Sequence, residues 1–178
     1  QEIERIALVN HSVSFSYTID GTATLRLVSS NLRRRIVDIF GKKTGDDLIA
    51  VDVDTTLVRI EGFVGRPDSS RKKGAHQFFY VNGRYMRHPY FAKAVASAFE
   101  GLVPEGEQVP YFLYLDIDPA NIDVNISPTK TEVKFENEPA IWQIIHAGIR
   151  EALGRFNAVP TIDFDNAQEV DIPVMNGE

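Results

Sequence analysis

The chain has 178 residues, of which 43% are hydrophobic and 25% charged, enough apolar material for the core of one domain with a tail. No run approaches the roughly 20 apolar residues of a membrane-spanning helix, and the absence of cysteine excludes disulfides, thiol catalysis and cysteine-ligated zinc. The net charge of -6 hides a divided chain able to present a basic face: residues 26–93 hold 14 basic and seven acidic residues, residues 94–178 four and 15.

The chain opens Gln1-Glu2-Ile3-Glu4-Arg5-Ile6 without an initiator Met and already in helical register, so residues 1–11 read as the end of a helix. No signal peptide is seen, and a fragment of a longer cytoplasmic chain is expected. Ser12 to Thr18 alternates polar residues with Val13, Phe15 and Tyr17, as a half-buried strand does. Asp20-Gly21 marks a tight turn, and Thr22 to Val28 returns as the partner strand. Ser30 is then a candidate N-cap for a helix with Leu32, Ile36, Ile39 and Phe40 on one face. Arg33, Arg34 and Arg35 point largely away from that face, and Gly41 closes the helix.

Leu48 to Val53 and Leu57 to Val64 read as strands, followed by the polar loop Asp68 to Gly74. The aromatic strand Gln77 to Val81 turns at Asn82-Gly83, and Pro89 opens a helix to about Glu100 burying Phe91, Val95, Ala98 and Phe99. Tyr111 to Asp118, Val124 to Ile126 and Thr131 to Phe135 are extended. A last helix opens at Asn137-Glu138-Pro139 with Ile141, Ile144, Ile145, Ile149 and Ala152 at helical spacing. Residues 12–157 form one α/β domain, a mixed sheet with helices mainly on one face, and 158–178 form an acidic tail.

Catalytic signals are sparse. Gly41-Lys42-Lys43-Thr44 lacks the glycine five positions earlier that a phosphate loop requires, and reads as a helix end followed by solvated lysines. There is no HExxH, GxSxG or GxGxxG, and the four histidines show no pair at metal-ligand spacing, so no self-contained catalytic site and no metal site are expected. Arg66, Arg71, Lys72, Lys73 and Arg84 flank the aromatic strand and suit backbone phosphates; on residue types, a solvated charged surface stays open beside a DNA contact. Phe78, Phe79 and Tyr80 read as core. In Asp123 to Phe135 a strand stops at Ser127-Pro128, and Lys130 is thrust out of a short constrained loop. Its compact ammonium suits a terminal phosphate, and an ordinary turn lysine is the other reading.

Three runs carry a resemblance. Val124-Asn125-Ile126-Ser127-Pro128-Thr129-Lys130-Thr131-Glu132-Val133-Lys134-Phe135 resembles the signature loop of MutL-type DNA mismatch repair proteins, Phe79-Tyr80-Val81-Asn82-Gly83-Arg84 resembles a second motif, and Gly62-Phe63-Val64-Gly65-Arg66-Pro67 a third. They occur in the family's order and spacing and cover roughly residues 1–155. The resemblance implies a transducer domain of the ribosomal-protein-S5 domain 2-like fold, with residues 1–11 ending the preceding GHKL-type ATPase domain and the tail starting a linker. It implies that Lys130 contacts the ATP γ-phosphate and that Arg84, with Arg66, Arg71, Lys72 and Lys73, contacts DNA. ATP and Mg²⁺ are bound mainly by the ATPase domain; the isolated chain is not an enzyme and its parent is a weak ATPase. Implied partners are that domain, DNA, the mismatch-recognition protein MutS and a second copy in an ATP-bound homodimer, with no membrane, in the bacterial cytoplasm at the nucleoid. Ser127 stands where the family usually has histidine. A GHMP-type small-molecule kinase and a topoisomerase-type transducer domain are the alternatives on the same fold.

Overall fold

The computed structural model describes residues 2–27, 31–123 and 134–158. Helix α1 (Glu2–Val9) leads into strands β1 (Phe15–Ile19) and β2 (Thr22–Leu27), which pair antiparallel with each other alone and form a ribbon apart from the main sheet. Their turn is the expected Asp20-Gly21, with φ of 49° and 79°; two consecutive positive φ values match the twist of a tight hairpin.

Helix α2 (Leu32–Phe40) starts one residue later than the sequence predicts. Asn31 is its N-cap and accepts from the Arg34 N–H at 2.9 Å, while Ser30 lies outside the described residues. Gly41, at φ 98°, ends it as expected. Lys42 and Lys43, read as solvated lysines after a helix end, are exposed, and they also open a short helix α3 (Lys42–Asp46).

The main sheet comprises β3 (Leu48–Asp54), β4 (Arg59–Gly65), β5 (Gln77–Val81), β6 (Arg84–Tyr85) and β7 (Tyr111–Asp116), in the order β3-β4-β7-β5-β6. Only β5 and β7 are parallel, because the chain leaves β5 through β6 and helix α4 (Pro89–Ala98) before returning as β7. A two-residue ladder of β8 (Ile122–Asp123) and β9 (Lys134–Phe135) precedes helix α5 (Glu138–Ala158). The predicted strand Val124–Ile126 and the residues Ser127 to Val133 lie outside the described residues, as does the tail after Ala158.

Side-chain alternation along the strands creates two cores. Ile49, Val51, Ile60, Val64, Phe79, Val81, Leu113 and Leu115 face α4 and α5, where Phe91, Val95, Ile141, Ile145, Ile149 and Leu153 are buried. The expected one-sided placement holds for these two long helices. The opposite face is not bare, however: Phe78, Tyr80 and Phe112 pack against Leu8 of α1 and Ile36 of α2. Each fully buried aliphatic or aromatic side chain contributes about 1.5–3 kcal/mol. Two glycines permit close approach. A Cβ on Gly148 of α5 would lie 2.5 Å from Val53 of β3, and Gly62, at φ 142°, brings β4 so close to β7 that a Cβ would overlap the Phe112 carbonyl.

Arg35 corrects the sequence reading. It does not point to solvent but is completely buried, donating to the carbonyls of Ala7 at 2.9 Å, His11 at 3.0 Å and Val13 at 2.5 Å. These carbonyls belong to the last turn of α1 and the segment after it, where a helix leaves acceptors without intrahelical partners. Two tyrosines of the sheet complete the attachment: Tyr80 donates to Arg5 O at 2.7 Å and Tyr114 to Leu8 O at 2.9 Å. The Arg5 guanidinium lies 3.9 Å above the Tyr85 ring. Helix α1 is thus held by its backbone, not only by its apolar side.

Candidate functional site

The register of the sheet sorts the functional candidates into two ends. β5 and β7 run parallel from Gln77↔Tyr111 to Val81↔Leu115, and β4 runs the other way, from Arg59↔Asp116 to Val64↔Tyr111. Arg84, following the turn at Val81, therefore lies at one end, with Arg59 and Asp116. Arg66, Arg71, Lys72 and Lys73, following Gly65 and preceding Gln77, lie at the other. The sequence places these basic loops as neighbours of Arg84; the seven residues of β4 separate them by about 20 Å at ~3.3 Å each.

At the Arg84 end, the turn Asn82-Gly83 has φ of 49° and 79°, the same tight geometry as the first hairpin. The Asn82 side chain reaches across to the end of β7, donating to Ile117 O at 2.8 Å and accepting from Ile117 N–H at 2.9 Å. Its own N–H donates to Leu115 O at 2.8 Å. Just beyond, Asp118 to Asp123 lead to the two-residue ladder in which Asp123 pairs with Lys134, and residues 124–133, Lys130 among them, join those two partners in the chain. Asn82 therefore ties the turn presenting Arg84 to the root of the segment carrying Lys130. The sequence marks Asn82 only as a turn residue, and its short amide and tolerance of positive φ suit this second role as well.

The return side of the segment is also anchored. Glu138 Oε1 accepts from Phe135 N–H at 3.2 Å and lies 3.4 Å from His88 Nε2. His88 caps α4, its Nδ1 accepting from Phe91 N–H at 3.2 Å, with its ring stacked on Phe91 at 3.8 Å between centroids. The first turns of α4 and α5 are joined through this pair. Lys130 and Ser127 themselves lie outside the described residues. Arg84 is exposed, whereas Arg59 is engaged by Glu61, by Asp52 at 3.5 Å and by Asp54 at 3.6 Å. The hydrogen bond to Glu61 is the largest of the effects raising the Arg59 pKa.

At the other end, Thr44, Asp47, Ser69, Arg71, His76 and Pro110 line a crevice of about 30 Å³. His76 packs 4.1 Å from the Phe40 ring centroid; burial lowers its pKa, with Glu4 opposing and Arg71 reinforcing the shift. Arg66 pairs with Asp68 at 3.3 Å, and its guanidinium lies 5.2 Å from the ring centroid of Phe156, near the end of α5. Arg71 is held by reciprocal backbone hydrogen bonds with Gln108, at 2.8 and 2.6 Å. Among the described residues no group of three His, Asp or Glu is placed to hold a metal ion. Among them, no helix is long and apolar enough to cross a membrane.

The family model described as DNA mismatch repair protein, C-terminal domain, matches residues 36–154. The chain belongs to this family of MutL-type DNA mismatch repair proteins. It is 60% identical over 175 residues to the DNA mismatch repair protein MutL of Phocaeicola vulgatus, which covers 98% of the chain and 28% of that relative. With the MutL of Flavobacterium psychrophilum the identity is 41% over 172 residues, with 97% and 28% covered. The chain thus spans little more than a quarter of the length of these relatives.

Among solved structures, an N-terminal domain of a DNA repair protein aligns with a TM-score of 0.74 at 23% identity, covering 89% of this chain and 53% of the other. The ATPase domain of Aquifex aeolicus MutL aligns at 0.56 and 16%, covering 86% and 49%. The B-subunit of DNA gyrase from Myxococcus xanthus reaches 0.51 at 11%, covering 89% and 50%. These likenesses establish a shared mixed α/β fold. The family match sets aside the kinase and topoisomerase readings, since the 60% identity runs along almost the whole chain.

Proposed function

We propose that this chain is the transducer module of a MutL-like mismatch repair ATPase, coupling the nucleotide state of a preceding GHKL-type domain to dimer closure and DNA contact. The observation that carries the reading is the Asn82 bridge to Ile117, which joins the Arg84 turn to the root of segment 124–133. Lys130, within that segment, meets the γ-phosphate held in the neighbouring domain, where its compact charge favours the triphosphate over the diphosphate state. A ligand that holds one arrangement more tightly than another shifts the population toward it. Arg84 then presents its guanidinium to backbone phosphate, and Arg66, Arg71, Lys72 and Lys73 form a second contact at the far end of the sheet. Such contacts position DNA without reading its sequence.

ATP and Mg²⁺ are assigned to the ATPase domain. On this reading the chain alone turns over no ATP, the parent is a weak ATPase, and the working state is an ATP-bound homodimer that answers to MutS at the nucleoid. Helix α1, clamped through its carbonyls, carries the movement from the ATPase domain into the sheet.

In the full-length protein, Lys130→Ala should slow ATP hydrolysis and abolish ATP-dependent dimerisation; unchanged values for both would remove Lys130 from the mechanism. Arg84→Glu should weaken binding of any duplex at low salt and lower the slope of log affinity against log salt by about 1. Equal binding and an equal slope would place the DNA surface elsewhere.

A further inference from the structure

At the basic end of the sheet Lys42, Lys43, Arg66, Arg71, Lys72 and Lys73 outnumber the acidic residues Asp46, Asp47, Asp68 and Glu107. Lys42, Lys43, Arg71, Lys72 and Lys73 are all exposed. Among the described residues none of the five makes an ion pair, and only neighbouring Arg66 does, with Asp68. The pieces belong together structurally: Arg66 N–H donates to Asp47 O at 2.8 Å, joining the end of α3 to the end of β4, and the crevice between Thr44 and Arg71 joins α3 to the basic loop. Like charges gathered in this way repel one another and attract a polyanion.

The same chain supplies one. Residues 159–178 contain Asp163, Asp165, Glu169, Asp171 and Glu178 and no Lys or Arg. They start at the correct place: α5 ends at Ala158, and Phe156, 40% exposed, lies under the Arg66 guanidinium at 5.2 Å. The acidic segment thus begins three residues after a ring that lies against the first cation of the patch. As a coil, 20 residues span about 25 Å, more than the few residues that separate Arg66 from Arg71 to Lys73 require.

We propose that segment 159–178 docks intramolecularly on the basic end formed by Lys42, Lys43, Arg66, Arg71, Lys72 and Lys73, occupying it until a nucleic acid displaces the segment. The docking is independent of the function proposed above; only the competition with nucleic acid rests on it. Held by screened charge and covalent connection, the segment gains from a high effective concentration and releases readily. The basic end then binds phosphate with an affinity set by the tail as well as by its own cations.

The chain has no cysteine, so a nitroxide on Val170→Cys is a unique probe. In the 178-residue protein at low salt, the amides of Lys42, Lys43 and Arg71 to Gly74 should lose at least half their intensity to paramagnetic broadening. The signals should recover in about 0.5 M salt, where the Debye length is about 4 Å, and in a Lys72→Glu/Lys73→Glu variant. Broadening centred on Arg84 or on α4, no broadening, or broadening that persists at high salt would overturn the proposal. So would broadening of an isotope-labelled, spin-free copy mixed with an unlabelled spin-carrying one, which would show docking between molecules.

A separate arm titrates a DNA duplex. The variant Asp163→Asn/Asp165→Asn/Glu169→Gln/Asp171→Asn should bind about threefold tighter or more at low salt. Unchanged affinity with the broadening intact would uphold the docking and refute the basic end as a DNA surface.

Discussion

Replacing Arg35 with methionine tests how α1 is attached to the sheet domain. The side chain is completely buried and spans three backbone carbonyls, of Ala7, His11 and Val13, at 2.5–3.0 Å. Methionine keeps most of the aliphatic stem and removes all the donors, so packing loss is small, and one buried acceptor (Ala7 O) and two part-buried ones (His11 O and Val13 O) lose their partner. Hydrogen bonds from a charged donor contribute about 1.5–3 kcal/mol each. Because the three share one group and two of the carbonyls are only part-buried, they do not add fully, and a loss of about 3 kcal/mol is expected. Urea unfolding followed by circular dichroism gives the magnitude, and amide exchange gives the place: α1 should lose protection ahead of β4 and β7. Arg34→Met is the control, since that guanidinium is 66% exposed and pairs only with Asp38 at 3.1 Å; an exposed pair one turn apart contributes about 0.5 kcal/mol or less. A loss under about 1 kcal/mol for Arg35→Met, or α1 exchange no faster than in the unchanged protein, would refute the clamp.

Gly62→Ala should cost at least about 3 kcal/mol or prevent folding, because a Cβ there overlaps the Phe112 carbonyl on an adjoining strand and φ is 142°; a midpoint in urea within error of the parent would contradict the observed β4–β7 approach. Asn82→Ala should cost about 2–3 kcal/mol, through two lost hydrogen bonds and a positive φ at a non-glycine residue. The Ile117 amide resonance should shift most, and an unmoved Ile117 would break the proposed link to segment 124–133. Alkaline stability follows from Tyr111, whose hydroxyl is pushed up to about 12 chiefly by burial and further by Tyr85. The unfolded chain ionises this group near 10, so its contribution is intact below pH ~10 and falls by about 2–3 kcal/mol as pH rises to ~12. Burial raises Tyr80 and Tyr114 as well, steepening the loss. Unfolding free energies flat between pH 9 and pH 11 would contradict this account.

Local structure was largely legible in the sequence, because local structure is governed by nearby residues. Asp20-Gly21 and Asn82-Gly83 announce their turns, since few other dipeptides hold two positive φ values cheaply. Ile141, Ile145 and Ile149 at helical spacing announce the buried side of α5. Asn31 displaced Ser30 as the cap of α2 because neighbouring polar residues compete for the same N–H, a choice of only tenths of a kcal/mol. The three family-like runs were visible too, and the family match bears them out as a resemblance.

Tertiary structure alone decided three things, each resting on contacts between residues far apart in the chain. It placed β7 between β4 and β5, antiparallel to one and parallel to the other, which sets Arg59 and Asp116 at the same end of the sheet as the turn that presents Arg84. It turned Arg35 inward, to carbonyls 22–28 residues away, where a helical pattern pointed it outward. And it brought the end of α5 beneath Arg66, setting the start of an acidic segment beside a basic surface nearly a hundred residues earlier in the chain. Periodicity and caps report which side of an element is buried; pairing order and long-range hydrogen bonds depend on which elements meet, and no local pattern encodes that.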